Sequence, residues 1–243
     1  MQQSNPDNWR DQEENMIASD PAVKLPGLLV GFLAAAGGAL LGGVVLPWLL
    51  PNMVQSVLGP EPKAYWEVSR ATALVGFGLL WVSMMSGLII PNRLARIWPG
   101  AAPAFDLHQY SSLLGLGFSM FHALILLGDH FIGYSFGQIV VPFGNPDYRR
   151  LAVGIGQISF YLLAVVALTF YVRKQIGNKA WHAIHFASYA VFIMALLHGW
   201  LSGTDSPTLW AQAMYWFAGV TVAVASAYRV YVSQARKSRP RTA

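Results

Sequence analysis

HQYSSLLGLGFSMFH, residues 108–122, and WHAIHFASYAVFIMALLHGW, residues 181–200, decide how this chain is built. Both are apolar enough to lie in hydrocarbon, and each carries a histidine towards either end. His108 and His122 are 14 residues apart; His185 and His198 are 13 apart. An ionisable side chain inside a membrane is costly and marks a functional site by default, so four of them in two helices outweigh every other feature of the sequence.

The surrounding sequence sets the solvent. Of the 243 residues 55% are hydrophobic and only 11% charged, where a soluble domain carries roughly a quarter charged residues. The charges fall in short clusters between long apolar runs. A hydrocarbon core about 30 Å thick needs about 20 apolar residues in a helix. Six runs meet that need, near Leu25–Leu50, Tyr65–Ile90, Phe105–Leu127, Leu151–Val172, Trp181–Leu201 and Leu209–Val232. The expectation is an all-α integral membrane six-helix bundle. Residues 1–24 are a polar tail, 25–232 the transmembrane domain and 233–243 a basic tail. The polar, net acidic start is unlike the short basic start of a signal peptide, so the first run reads as a retained helix.

Positive residues are held on the cytoplasmic side of a membrane. Arg10, Lys24, Arg93, Arg96, Arg173, Lys174, Lys179, Arg229, Arg236, Lys237, Arg239 and Arg241 fall on one face; Lys63, Arg70, Arg149 and Arg150 fall on the other. Both termini are therefore expected in the cytoplasm, in a plasma membrane of bacterial inner-membrane type. The basic balance is an orientation signal and an attraction to anionic membrane lipid, and it calls for no nucleic acid. The absence of cysteine excludes disulfides, iron–sulfur clusters, thiolate zinc sites and covalently attached heme.

The third and fifth runs are separated by one span, so they run parallel, and His108 comes level with His185 and His122 with His198. At 1.5 Å per residue the two levels lie about 20 Å apart. Two facing histidines at each level can clamp a heme iron from both sides. The chain is thus expected to bind two stacked heme b groups, with His108, His122, His185 and His198 as axial ligands to iron. Rotation adds a condition. Fourteen residues fall about 40° short of four turns and keep both histidines on one face, but 13 fall about 140° short. The fifth helix must be bent or locally widened between His185 and His198, or the hemes meet it from different sides. Gly115 and Gly117 lie between the histidines of the third run and Gly76 and Gly78 at similar depth on the second, which suits either close approach of a macrocycle or ordinary helix packing. Gly38 and Gly42 form a GxxxG for packing or self-association. His182 reads as an interfacial donor, and His130 as a solvated loop residue.

The two histidine segments resemble the ferric reductase-like transmembrane domain family, which includes ferric reductases, NADPH oxidases and bacterial standalone heme subunits. The likeness covers roughly Tyr65–Val232, and the 14 and 13 spacings are similar to those of NADPH oxidases. The resemblance implies that His108 and His185 hold the cytoplasmic-side heme and His122 and His198 the outer one. SRATAL, residues 69–74, is similar to a family segment with an arginine beside the outer heme. Arg70 is accordingly a candidate outer acceptor site, attracting a heme propionate or an anionic product, or else an arginine snorkelling to the interface.

Larger family members continue into flavin- and nicotinamide-binding domains. No such domain is read after the sixth run, so electrons are expected from a separate flavin reductase, whose flavin stays with that partner, or from quinol. An extracytoplasmic acceptor protein, ferric iron or oxygen would receive them. The loop from Gly128 to Arg150, with VPFGNPDY, either docks a partner or shapes the outer site. Transmembrane electron transfer as the heme subunit of an oxidoreductase is the leading expectation. A quinone-linked cytochrome b and a non-redox transporter or scaffold are the competing ones.

Overall fold

The computed structural model describes residues 21, 23–49, 63–90, 100–129, 132–146 and 148–237. Backbone groups in hydrocarbon must be paired within the segment, and the apolar runs accordingly become helices. In chain order these are α1 (Leu25–Leu49), α2 (Ala64–Ile89), α3 (Ala101–Leu124), α4 (Phe136–Val140), α5 (Arg150–Thr169), α6 (Arg173–Ile176), α7 (Asn178–Phe186), α8 (Ser188–Ser202) and α9 (Leu209–Lys237). There is no strand among the described residues. Five helical stretches are long and apolar enough to cross a membrane: α2, α3 with its 3-10 extension to Gly128, α5, α7–α8 and α9. The first run also forms a helix, α1, whose described apolar part is Leu25–Gly38.

Helix ends follow local chemistry. Gly100, at φ 112°, leads into α3, and Pro103 sits in its first turn, where the missing N–H is not needed. Ser135 and Gln138 form a capping box on the short α4. Gly177, at φ 82°, closes α6 and opens α7. Polar side chains within the spans bond back to their own helix, as Ser86 Oγ does to the Val82 carbonyl at 2.6 Å and Ser119 Oγ to that of Gly115 at 2.7 Å.

The bundle is organised around two intimate pairs. α2 packs most extensively on α3, and α5 on α8, while α9 lies against α2 and α8, and α1 against α3. Small residues bring α2 and α3 together: a Cβ on Gly115 would touch Leu80 Cδ1 at 3.4 Å and the Gly76 carbonyl at 3.6 Å. Packing is therefore the role of Gly115. Nothing lies within 4 Å of a Cβ on Gly78 or Gly117. One apolar cluster, around Met84, Leu88, Phe192, Ala218 and Val222, joins α2, α8 and α9; another, around Leu80, Leu116, Leu163 and Val191, joins α2, α3, α5 and α8.

The fifth run is not one helix. α7 ends at Phe186 and α8 begins at Ser188, with Ala187 between them. The Ala187 N–H donates to the Ile184 carbonyl at 2.9 Å, an i to i−3 bond. The interruption is of the tightened kind, not the widened one. A 3-10 turn rotates about 120° per residue against about 100° in an α-helix, so each such residue recovers about 20° of the 140° shortfall.

Candidate functional site

Four rings meet in two pairs. His108 faces His185 with ring centroids 5.9 Å apart and planes at 77°; His122 faces His198 at 6.2 Å and 69°. The pairs follow the order of the chain, so α3 and α7–α8 run parallel, and the tight turn at Ala187 lies between the two levels. His182 is exposed on α7 beside Trp181, with ring centroids 4.7 Å apart. His130 lies outside the described residues.

Each histidine of α3 is anchored by the helix behind it. His108 Nδ1 is 2.8 Å from the Ser83 carbonyl and 3.1 Å from Ser83 Oγ; His122 Nδ1 is 2.8 Å from both the carbonyl and the Oγ of Ser69. On α8, His198 Nδ1 is 2.8 Å from the Ala152 carbonyl of α5. A carbonyl only accepts, so these three Nδ1 atoms carry the proton and leave the Nε2 lone pair free. Imidazoles prepared as metal ligands are held in this way. His185 has no such anchor among the described residues, and its ring lies on that of Trp181 instead.

Glycines make room for the rings. A Cβ on Gly87 would come within 3.2 Å of His108, and one on Gly156 would overlap the His198 ring outright. Neither glycine was singled out from sequence, although the run GxGQ at residues 154–157 stands out in an otherwise bulky span. The serine anchors also left a trace. Ser69 and Ser83 are 14 residues apart, the spacing of His108 and His122 on the antiparallel neighbour.

The His122–His198 level borders a cavity of ≈ 290 Å³. Its deep part is lined by Gly76, Phe77, Leu80, Leu163 and Ala195, and its mouth by Trp66, Arg70, Tyr148 and Asp205. An apolar floor with a polar mouth suits a flat apolar macrocycle with an acidic edge. Arg70 belongs to that mouth, but its charge is already matched. Its Nη2 lies 2.5 Å from Asp205, its Nε donates to Asp205 Oδ2 at 3.2 Å, and its Nη1 donates to Glu67 at 2.9 Å. Asp205 went unnoticed in the sequence; its signal is one acidic residue in the GTDSP turn between the last two runs.

The loop from Gly128 to Arg150 shapes this cavity, and part of it is not external. Gln138, Ile139 and Val140 line the wall. Gln157, two turns into α5, donates from Nε2 to the Gln138 carbonyl at 2.8 Å and the Ile139 carbonyl at 2.7 Å, and its Oε1 accepts the Phe143 N–H at 3.1 Å. Tyr161 OH donates to the Val140 carbonyl. Tyr161 is 11 residues along α5, so the segment follows that helix for about 16 Å. The last carbonyls of the one-turn α4 have no partner within their own helix, and Gln157 and Tyr161 supply it. Phe143 rests where Gly154 has no side chain.

Outside the spans, burial raises the Tyr134 phenol to about 12 and the Tyr148 phenol above its ordinary value; Tyr148 OH also donates to the Ser202 carbonyl at 2.7 Å. Both tyrosines line the cavity.

Among the described residues no three His, Cys, Asp or Glu side chains gather to hold a bare metal ion. The histidines come in twos, the number required when a macrocycle supplies the other ligands. A metal about 2 Å from each of two facing imidazole nitrogens sets the ring centroids about 6 Å apart. Both levels fit that test. Comparison with family models, with curated proteins and with solved structures gives no match.

Proposed function

We propose that this chain is a membrane cytochrome b that passes electrons across the bilayer, with heme held by His108 and His185 at one level and by His122 and His198 at the other. One observation carries the reading: two pairs of histidine rings face each other at axial-ligand separation, with three of the four Nδ1 atoms committed to carbonyls. Heme bound there would supply one-electron transfer through the macrocycle edge, since two axial imidazoles leave iron no open position.

The protein's own part is to orient and insulate. Ser69, Ser83 and Ala152 fix the ligand tautomers, and the segment held by Gln157 walls the cavity beside His122 and His198. Arg70 and Asp205 close its mouth with paired charge, and Glu67 holds Arg70 from behind. The lysine and arginine distribution supports a cytoplasmic position for the His108–His185 level, in a bundle that α1 would bring to six spans. An inside-negative potential favours outward electron flow by about 2.3 kcal/mol per 100 mV for a full crossing. The architecture is similar to that of the ferric reductase-like family, with a separate flavin reductase or quinol as donor and an acceptor at the outer cavity.

A reduced-minus-oxidised spectrum with a heme-to-protein count tests this. The expected result is two low-spin b-type hemes per chain. A count of one or none, or a high-spin spectrum, overturns the four-ligand assignment.

A further inference from the structure

Three of the four facing histidines are held from behind by a carbonyl, and the fourth is not. His185 has Trp181 one helical turn before it, ring centroids 5.2 Å apart and planes only 27° apart. Trp181 is 6% exposed and is braced in turn by Phe170, ring centroids 6.1 Å apart, and the Arg173 guanidinium sits over the Phe170 ring at 3.8 Å from its centroid. Arg173 also donates to the Phe170 carbonyl at 2.7 Å. His185 is therefore stacked on Trp181, and Trp181 is backed by the tilted Phe170 ring, so the packing runs from α7 into the turn after α5. The Trp181 indole N–H is buried without a hydrogen-bond partner among the described residues, so the indole is not held there by that bond.

We infer that Trp181 is the positioning residue of His185, fixing by stacking the ring plane that carbonyls fix for the other three. The inference rests on the heme reading given above. An imidazole with two ring nitrogens and no anchor can spin about its Cβ–Cγ bond and exchange tautomers. A flat indole against its face removes the spin without touching Nδ1. The electronic consequence differs from that of a carbonyl anchor. Donation from Nδ1–H makes an imidazole a more basic ligand and favours the oxidised metal, and His185 lacks that contribution. The His108–His185 heme is thus set towards a higher potential than two anchored ligands would give.

Ring orientation is directly readable. Axial imidazole planes that cross near a right angle give low-spin ferric heme a single large-g resonance, and planes near parallel give a rhombic spectrum. Electron paramagnetic resonance and a potentiometric titration on the full-length protein, Trp181→Phe and Trp181→Leu decide the matter. Wild type should show two large-g species, from the 77° and 69° crossings. Trp181→Phe keeps a flat face and should keep both signals. Trp181→Leu should change the g value and potential of one heme only, the one that His108→Leu removes.

If Trp181→Leu loses that one heme and keeps the other unchanged, the role stands. Trp181→Leu with both signals and both potentials as in wild type overturns it, as does simultaneous loss of both hemes. Trp181→Phe behaving like Trp181→Leu also overturns it, by showing that a flat ring at this position does not suffice to hold His185. Wild type without heme would instead sink the functional reading, before any variant is compared.

Discussion

The two histidine levels are built from the same residue type on α3 and on α7–α8, yet they are held differently. At His122–His198 both rings are anchored to carbonyls, a cavity of ≈ 290 Å³ adjoins them, and Gln138, Ile139 and Val140 on one wall and the paired Arg70 and Asp205 border it. At His108–His185 one ring is anchored and the other is stacked on an indole. The difference teaches that two histidine pairs in register are not two equivalent sites; the neighbouring helices set each one's rigidity and surroundings. The sharpest way to break the comparison is to remove ligands one at a time. His108→Leu and His185→Leu should each take away the same heme, and His122→Leu and His198→Leu the other, so that every single variant keeps one heme of two by pyridine hemochrome assay. If His108→Leu and His198→Leu removed the same heme, the parallel pairing and the outward path would both fall.

A graded test follows from the glycines behind the rings. At Gly156 an added Cβ would overlap His198, a ring already fixed by Ala152, and the backbone on both sides belongs to packed helices. Gly156→Ala should therefore lose the His122–His198 heme while the other remains. At Gly87 the contact is 3.2 Å, and a shift of a few tenths of an ångström relieves it. Overpacking of this milder kind costs about 1–3 kcal/mol. Gly87→Ala should accordingly keep both hemes and lower the melting temperature. Equal effects at the two sites would mean that the levels are equally tolerant and the contrast is wrong.

Much of this was legible because it depends on single helices. Hydropathy places the spans, and the runs near Tyr65–Ile90 and Leu209–Val232 differ from α2 and α9 by one residue at most, except where α9 continues to Lys237. The rise per residue brings His108 level with His185, and the rotational misfit of the 13-residue spacing offered a bend or widening of the fifth helix or approach from different sides; the helix is interrupted at Ala187, by a tightened turn and not a widened one. What depends on a second element was harder to read. Ser69 and Ser83 matter only once α2 lies antiparallel to α3, and Gly156 only once α5 backs α8. Gln157 looks like a lone polar residue in a span until Gln138, Ile139 and Phe143 fold onto it. Arg70 was visible as a charge near a membrane boundary, but the carboxylate that holds it comes from a turn 135 residues later.

That ion pair gives a smaller effect. The Arg70 and Asp205 side chains are each about 30% exposed, so their attraction is partly screened, and it is worth about 0.5–1 kcal/mol. Arg70→Ala and Asp205→Ala should each cost about that much by thermal unfolding, with the double variant costing no more than either single change. Both hemes should stay bound in Arg70→Ala, while oxidation by an external acceptor slows. An additive double variant would show that the pair contributes nothing to the mouth, and unchanged oxidation would leave Arg70 a snorkelling residue.

The smallest effect is confined to alkaline solution and separates the two ends of the bundle again. Tyr134, at the end of the large cavity, ionises at about 12 because burial disfavours the phenolate, against about 10 for an exposed tyrosine. Tyr171, in the turn after α5 at the opposite end, is also raised by burial. In the window between those values the unfolded chain has released the Tyr134 proton and the folded chain has not. The unfolded state then binds fewer protons, so stability falls as pH rises. Below about pH 10 the contribution is fully present, and it is lost as pH climbs towards 12. Melting curves from pH 8 to 12 should be flat at first and then fall, and Tyr134→Phe should flatten the fall without changing the curve below pH 9. A variant that falls as steeply as wild type would take the alkaline sensitivity away from Tyr134, with Tyr148→Phe, at the same cavity, and Tyr171→Phe, at the opposite end, the next substitutions to measure.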